Sequence, residues 1–163
     1  MLIGLISDIH NHKEPLRAAL QLLAAEGCTT ILCLGDIASV NTLRFLRANA
    51  VGELHLVAGN NDHPRAAFAN AAAALPDTTY HGDTAELVVD GRHIFMTHKP
   101  ETALIAARYG DFDAIFYGHT HRPMQTLEGH MLIANPGEVQ GRYNSRSVAV
   151  YDTADNTLRH LNL

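Results

Sequence analysis

The chain opens with the stretch LIGLISDIH, residues 2–10, in which an apolar run ends abruptly at Asp8 and His10. An apolar run followed at once by polar residues is typical of a buried strand in a parallel sheet. A signal peptide would begin with a basic segment and run longer, so we interpret this stretch as part of the fold. Residues two apart in an extended chain point the same way, so Asp8 and His10 are predicted to face one point.

The same pattern recurs at four further strands, each of which is predicted to end in a residue that can bind a metal ion. Glycines at positions 35, 59 and 118 precede three of these residues, where the backbone must turn sharply or approach the site closely. The carboxyl ends of strands line the ligand-binding crevice of open α/β sheets. Seven side chains are therefore predicted to converge: Asp8, His10, Asp36, Asn60, His98, His119 and His121.

The remaining sequence predicts helices in the first two-thirds and antiparallel hairpins in the second half. Apolar spacing predicts helices over residues 14–26, 42–49, 64–74 and 99–109, and turns such as Asp90-Gly91 predict hairpins over residues 85–97, 124–134 and 147–163. Parallel β-α-β units followed by hairpins predict two packed sheets with helices on their outer faces. The length, 163 residues, predicts a single domain over residues 1–163.

Composition excludes several classes of partner. The chain has 12 Lys and Arg against 17 Asp and Glu, a net charge of −5, which argues against a surface that binds long nucleic acids or anionic membranes. No apolar stretch reaches the about 18 residues of a membrane-spanning helix. Cys28 and Cys33 form no CxxC motif, which predicts a reducing, cytoplasmic compartment. The hairpin edges would allow a homo-oligomer.

The candidate ligands combine carboxylate and imidazole groups, which suit first-row metals. Mn is expected, and Ni, Fe, Co and Zn fit the same set. Two ions about 3.5–4 Å apart need a bridging anion, and Asp36 is assigned that position. Taken singly, Asp8 and Asp36 fit equally well as helix caps, and Asn60 fits as a turn residue. The recurrence of such residues at five strand ends favours a metal site over these separate explanations.

The order of these motifs resembles that of the calcineurin-like metallophosphoesterases, and the length and the Asn135-Pro136-Gly137 segment resemble their small bacterial and archaeal phosphodiesterase branch. The resemblance implies a four-layer α/β/β/α sandwich of two mixed sheets flanked by helices. It implies two divalent ions that lower the pKa of a shared water and so supply a bridging hydroxide as nucleophile. One ion would be held by Asp8, His10, Asp36 and His121, and the other by Asp36, Asn60, His98 and His119.

Two positions depart from the family pattern. Asn61 stands where many members carry His, proposed as the acid for the leaving group, and smaller ones often carry Cys; an amide cannot supply a proton at neutral pH. His63 is the alternative acid, although Pro64 is predicted to begin a helix there and turn it away. Without an acid, substrates with good leaving groups are favoured. Glu138 replaces the usual Ser, and its carboxylate would repel phosphate unless it points outward.

The predicted site also includes residues that would contact the substrate or orient a ligand. Asn60 and Asn61 are candidates to contact the substrate, together with Arg122, for which a plain surface role is the alternative. Asp62 is expected to orient a neighbouring ligand through a hydrogen bond.

The leading hypothesis is a metal-dependent hydrolase of phosphodiesters, with monoesters as a further option, acting on small molecules or nucleotides. The alternative is a metal-binding scaffold of the same fold, a protein-interaction module with little or no catalysis. The absence of Trp and of a basic stripe argues against a nuclease that follows long strands.

Overall fold

The computed structural model describes all residues from 1 to 163 and contains eleven strands and four helices. The strands are β1 (Leu2–Ile6), β2 (Thr30–Cys33), β3 (Glu53–Leu56), β4 (Thr78–Tyr80), β5 (Thr84–Val89), β6 (Arg92–Thr97), β7 (Ala114–Phe116), β8 (Pro123–Glu128), β9 (Met131–Pro136), β10 (Ser147–Asp152) and β11 (Thr157–Asn162). The helices are α1 (Lys13–Ala25), α2 (Val40–Asn49), α3 (Arg65–Ala73) and α4 (Pro100–Tyr109). None of these helices has the length and apolar character needed to cross a membrane.

The strands form two mixed sheets. The first has the order β11-β10-β1-β2-β3-β4, in which β1 to β4 run parallel and β10 and β11 are antiparallel additions. The second has the order β5-β6-β7-β9-β8, with β6, β7 and β9 parallel and an antiparallel strand at each edge. The carboxyl ends of β1, β2, β3, β6 and β7 carry the predicted ligands.

Three apolar clusters divide the molecule into four layers. One lies between the first sheet and α1, α2 and α3, and includes Ile31 and Leu54. A second fills the space between the sheets, with Leu5 and Phe116 from opposite sides. A third lies between the second sheet and α4. The predicted four-layer α/β/β/α sandwich of two mixed sheets is confirmed.

Short elements and element ends differ from the sequence prediction. The three predicted hairpins and four helices are present, with ends shifted by one or two residues at most positions. The strand β4 was not predicted, because three residues give no measurable alternation. It forms because it pairs with β3, with Leu56 opposite Tyr80, and it is the edge strand of the first sheet.

Candidate metal centre

The ligand-bearing segments are tight turns and not strand extensions, which corrects the reasoning from extended chain. Strand β1 ends at Ile6, and both Asp8 and His10 have positive φ, at 55° and 45°. His119 and His121 repeat this conformation, with φ of 69° and 61°. Positive φ is costly for residues other than glycine, so tertiary contacts must hold these turns. Asp8 and His10 still face one point, 3.8 Å apart, whereas His119 faces His98 and His121 faces Asp8.

Backbone hydrogen bonds between neighbouring loops supply those contacts. The Asp8 N–H donates to the Gly35 carbonyl at 3.1 Å, and the Ile9 and His10 N–H groups donate to the Asp36 carbonyl at 3.0 and 2.9 Å. The loops after β1 and β2 therefore form one unit, and the Asp8 and Asp36 side chains have a fixed spacing.

Asp8, His10 and His121 form the first ligand group. Asp8 is fully buried, and its Oδ1 lies 3.8 Å from His10 Nε2 and 3.4 Å from His121 Nε2. The two imidazole rings stack with centroids 5.5 Å apart. The facing atoms are one carboxylate oxygen and two ring nitrogens, close enough to bind a single ion.

The second group is centred on His98, which is 1% exposed. Its Nδ1 donates to the Leu34 carbonyl at 2.7 Å, so a neutral ring presents the lone pair of Nε2 to the crevice. Three atoms surround that nitrogen: Asn60 Oδ1 at 3.1 Å, His119 Nδ1 at 3.2 Å and Asp36 Oδ2 at 3.5 Å. Asp36 Oδ2 also lies 3.4 Å from His10 Nε2, so this carboxylate stands between the two groups.

The residues present fit divalent metal ions. Asp8 Oδ1 and His10 Nε2 are buried and have no hydrogen-bond partner, which is costly unless another group binds them. Both atoms face the cluster of oxygen and nitrogen ligands described above. The donor set of carboxylate, imidazole and amide oxygen matches first-row cations.

The proton affinities of the cluster show the same need for positive charge. Burial acts to raise the pKa of the Asp36 carboxyl, but hydrogen bonds from His98 and Asn61 and the charge of His98 hold that pKa well below its usual value. The pKa of His10 is raised, chiefly by its contact with Asp8. The neighbouring donors therefore favour the charged form of Asp36, which is the form that binds a metal ion.

Asp62 holds the backbone on which Asp36 stands. It is buried, and its Oδ2 accepts from the Asp36 and Gly59 N–H groups at 2.9 and 2.8 Å. Its Oδ1 accepts from the Ala38 N–H at 2.7 Å. This is the kind of orienting hydrogen bond expected from the sequence, although it acts on backbone and not on a ligand side chain.

The glycine before Asn60 permits a close approach between two loops. A Cβ built on Gly59 would lie 2.1 Å from both the backbone nitrogen and Oδ1 of Asp36. Any side chain here would displace the carboxylate between the two ligand groups. The sequence prediction that this glycine serves close backbone approach agrees with the contact.

Asn135 supports the His119–His121 turn, a role that sequence reasoning missed. The side chain is fully buried, and its Nδ2 donates to the Gly118 carbonyl at 2.8 Å and to Thr120 Oγ1 at 3.1 Å. Its Oδ1 accepts from the Gly137 N–H at 2.8 Å. The Asn-Pro-Gly segment was visible in the sequence, but nothing local indicated its distant partners.

Glu138 points into the protein. The sequence analysis expected its carboxylate either to repel phosphate or to face solvent, and the structure shows neither arrangement. The side chain is fully buried, with Oε2 accepting from His121 Nδ1 at 2.8 Å. Its Oε1 accepts from the Tyr143 and Asn144 N–H groups at 2.7 and 2.6 Å. Burial acts to raise the pKa of Glu138, but these bonds lower it overall. The negative charge of this carboxylate is therefore stabilised by three hydrogen-bond donors, and the His121 ring lies between it and Asp8.

The remaining predicted residues lie around the rim. Asn61 is exposed, and both its backbone N–H and its amide donate to the Asp36 carboxylate at 2.8 Å. His63 is exposed, and its imidazole makes no hydrogen bond to the ligand groups. Arg122 is also exposed beside His121. The structure brings Asn61 to the centre, whereas the side chains of His63 and Arg122 make no hydrogen bond or ion pair with it.

A cavity of about 210 Å³ adjoins His98. Its polar lining includes Thr97, Lys99, Thr102 and the ion pair of Arg65 with Asp83, whose atoms are 3.1 Å apart. Lys99 forms no ion pair, so it is the free cation of this wall. The cavity lies beside the second ligand group and is open to solvent.

Comparison with known proteins finds relatives that align with nearly the whole chain. The phosphodiesterase MJ0936 of Methanocaldococcus jannaschii is 27% identical over 167 aligned positions, covering 99% of this chain and 98% of the relative. Vacuolar protein sorting-associated protein 29 of Schizosaccharomyces pombe is 27% identical over 155 positions, covering 91% of this chain and 77% of that protein. The solved structure of an archaeal phosphodiesterase superposes with a TM-score of 0.91 at 26% identity, with full coverage of both chains.

A family model covers nearly the whole chain. Residues 1–156 match the calcineurin-like phosphoesterase superfamily domain, a span that includes all seven predicted ligands. Its name agrees with the ligand chemistry described above, since a phosphate ester is the kind of substrate that clustered cations activate. The chain therefore belongs to the calcineurin-like phosphoesterase superfamily and is a metal-dependent hydrolase of phosphate esters.

Proposed function

We propose that the protein hydrolyses phosphodiesters of small molecules or nucleotides at a centre of two divalent ions, with manganese as the preferred metal. The convergence of carboxylate and imidazole groups around the unpartnered atoms Asp8 Oδ1 and His10 Nε2 carries this proposal. The phosphodiesterase name of a curated relative, and of a solved structure that aligns over its full length, supports the diester preference.

The chain's own residues would divide into two ligand sets that share Asp36. Asp8, His10 and His121 would hold one ion, and Asn60, His98 and His119 the other, with Asp36 bridging because its Oδ2 lies within 3.5 Å of ring nitrogens from both sets. When bound, the two ions supply Lewis acidity toward phosphate oxygens and lower the pKa of water. Asn61 holds the Asp36 carboxylate in place through two hydrogen bonds.

The substrate would meet the chain on the rim of this centre. Asn60 and Asn61 contact His98 and Asp36 and would bind a phosphate oxygen from there, with Arg122, which follows His121 in the sequence, as a further contact. The cavity beside His98, with its free Lys99, has room for a small group beyond the reacting phosphate. No imidazole donor stands at Asn61, so good leaving groups should react fastest.

Activity toward an activated aryl diester tests the proposal. Bis(p-nitrophenyl) phosphate should be hydrolysed in the presence of Mn²⁺, and more slowly after chelation. Asp36→Asn should lower turnover about 10³-fold or more, because an amide cannot bridge two cations. Asp111→Asn is the matched control, because that carboxylate is 99% exposed in the loop before β7, at the opposite end of the strand from His119, and should leave turnover unchanged.

Metal analysis and a second substrate complete the test. Two Mn²⁺ per chain are expected from elemental analysis, and p-nitrophenyl phosphate should react more slowly than the diester. Near-normal turnover by Asp36→Asn, or one ion per active chain, would contradict the two-ion proposal.

The alternative is a metal-binding interaction module. It is favoured by the occurrence of asparagine at position 61, with no proton donor in contact with the centre, and by similarity to proteins named for vacuolar protein sorting. Stoichiometric metal binding with no turnover on any mono- or diester would favour this function over the enzyme.

The compartment is proposed from the cysteines. Cys28 and Cys33 are both free and buried, which suits a reducing cytoplasm. Burial raises the pKa of the Cys28 thiol to about 11, so it is a poor nucleophile at neutral pH.

A further inference from the structure

Glu138 is a carboxylate that pairs with a site histidine through the ring nitrogen that faces away from the predicted metal, Nδ1 of His121. In His98 the corresponding nitrogen, Nδ1, donates to the Leu34 carbonyl at 2.7 Å, whereas His121 Nδ1 faces the Glu138 carboxylate at 2.8 Å. Glu138 has no access to solvent, so this contact is not a mobile surface pair. Buried carboxylate–imidazole contacts fix the ring tautomer and increase the basicity of the opposite nitrogen.

The backbone around Glu138 places it rigidly beside the first ligand group. The N–H groups of Val139 and Gln140 donate to the carbonyls of Ser7 and Asp8 at 3.1 and 3.2 Å. The segment that carries Glu138 is thus bonded to the turn that carries Asp8. The opposite nitrogen of His121 lies 3.4 Å from Asp8 Oδ1, the buried oxygen without a partner.

The second carboxylate oxygen joins this arrangement to a loop. Oε1 accepts from the Tyr143 and Asn144 N–H groups, and the Tyr143 ring stands edge-on to His121 with centroids 5.1 Å apart. Tyr143 is 64% exposed, so the loop presents an aromatic side chain at the rim of the centre.

We propose that Glu138 is a positioning residue that keeps the proton of His121 on Nδ1, which leaves Nε2 free to bind a metal ion, and that it fastens the Tyr143 loop to the same histidine. The part of this inference that concerns metal binding by His121 rests on the proposed function. The tautomer itself is a property of the metal-free chain and can be measured there.

Glu138→Gln separates the two roles because a glutamine has one oxygen. Two N–H donors face the Oε1 position, so the amide oxygen should remain there and the amide nitrogen should face His121. That nitrogen can only donate, so the proton of His121 should move to Nε2, the atom needed for metal. The loop contacts should persist in this variant and be lost in Glu138→Ala.

The experiment combines three measurements on the full chain. Imidazole ¹⁵N NMR of the metal-free protein should show His121 protonated on Nδ1 in the wild type and on Nε2 in Glu138→Gln. Mn²⁺ titration calorimetry should show about 10- to 100-fold weaker binding at one of two sites in that variant. Hydrogen exchange at Tyr143 and Asn144 should be unchanged in Glu138→Gln and faster in Glu138→Ala.

Two further variants serve as controls. Glu128→Gln makes the same chemical change at an exposed position on β8 and should match the wild type in all three measurements. The amide nitrogen of Gln140 lies 2.9 Å from the same ring nitrogen and, as a donor, favours the opposite tautomer. Gln140→Leu removes this competing donor, so the His121 proton should stay on Nδ1.

The outcomes distinguish this inference from the proposed function. A wild-type His121 protonated on Nε2 would overturn the role of Glu138 even if no variant folded. A tautomer lost in a folded Gln140→Leu would also overturn it. Wild-type Mn²⁺ affinity in Glu138→Gln would do the same. Failure of the wild type to bind metal, with the tautomer as expected, would instead count against the metal-centre proposal and leave the histidine assignment supported.

Discussion

At the scale of single residues, the centre depends on atoms that cannot move independently. Asp36 is held by Asn61 through its side chain and by Asp62 through its backbone N–H. Gly59 packs directly against both parts of Asp36, at distances that a methyl group cannot share. A change in any of these neighbours should therefore act through the position of one carboxylate.

Gly59→Ala tests this dependence. The added Cβ would lie 2.1 Å from Asp36 N and Oδ1, so the loop must shift. We expect turnover to fall about 100-fold, since a displacement near 1 Å is costly in a catalytic site. Steady-state kinetics and Mn²⁺ titration are the measurements. Gly129→Ala, in the turn between β8 and β9 with φ of 64°, should lower stability but leave Mn²⁺ affinity intact; equal loss of affinity in both variants would contradict the argument.

The leaving group gives a second test at this scale. His63 is exposed and its imidazole makes no hydrogen bond to the ligand groups, so His63→Ala should change turnover of an aryl diester by less than about threefold. Turnover should be compared for esters whose leaving alcohols differ in pKa. A loss that grows steadily with the pKa of the alcohol would instead identify His63 as the proton donor.

At the scale of elements, contacts between neighbouring strands include a pair of histidines. His55 belongs to β3, and His81 follows the adjacent strand β4 directly. His55 Nδ1 lies 3.1 Å from His81 Nε2, and the two rings stack with centroids 5.3 Å apart. Burial, aided by the nearby His55, lowers the pKa of His81 below its ordinary 6.5. The charged form of His81 is therefore disfavoured in the folded chain.

The pair predicts a loss of stability in acid. The unfolded chain takes up a proton at His81 near pH 6.5, whereas the folded chain does so only at lower pH. Stability from this residue is therefore complete above about pH 6.5 and falls as the pH drops toward the folded pKa. Urea unfolding from pH 7.5 to 5.5 should show a steeper decline for the wild type than for His81→Gln. His130→Gln, at a site 70% exposed, should retain the wild-type slope, and identical slopes in all three proteins would refute the prediction.

At the scale of the whole molecule, the two sheets share an apolar layer to which both contribute large side chains. Phe116 from the second sheet meets Tyr151 from the first, edge to face, with ring centroids 5.1 Å apart. Both are fully buried. Neither sheet can keep its inner face dry alone, so we propose that residues 1–163 unfold as a single domain.

Phe116→Ala should lower the free energy of unfolding by about 3–5 kcal/mol, because it removes a large ring from the shared layer. Circular dichroism and tyrosine fluorescence should report one coincident transition for the wild type. Tyr109→Ala, at a residue 78% exposed on α4, should change stability by less than about 0.5 kcal/mol. Separate transitions for the two probes would argue for sheets that fold independently.

The sequence by itself determined every strand except β4, the helices, the hairpins and the identity of the seven converging residues, because apolar periodicity and strand-end polarity are local signals. Tertiary structure alone decided the positive φ of Asp8 and His119, the existence of β4 and the inward direction of Glu138. Each of these results from contacts between residues distant in sequence, such as the Asp8 oxygen that accepts from the His119 N–H across 111 residues. No local pattern encodes such a bond, because its energy appears only once both loops are already in place.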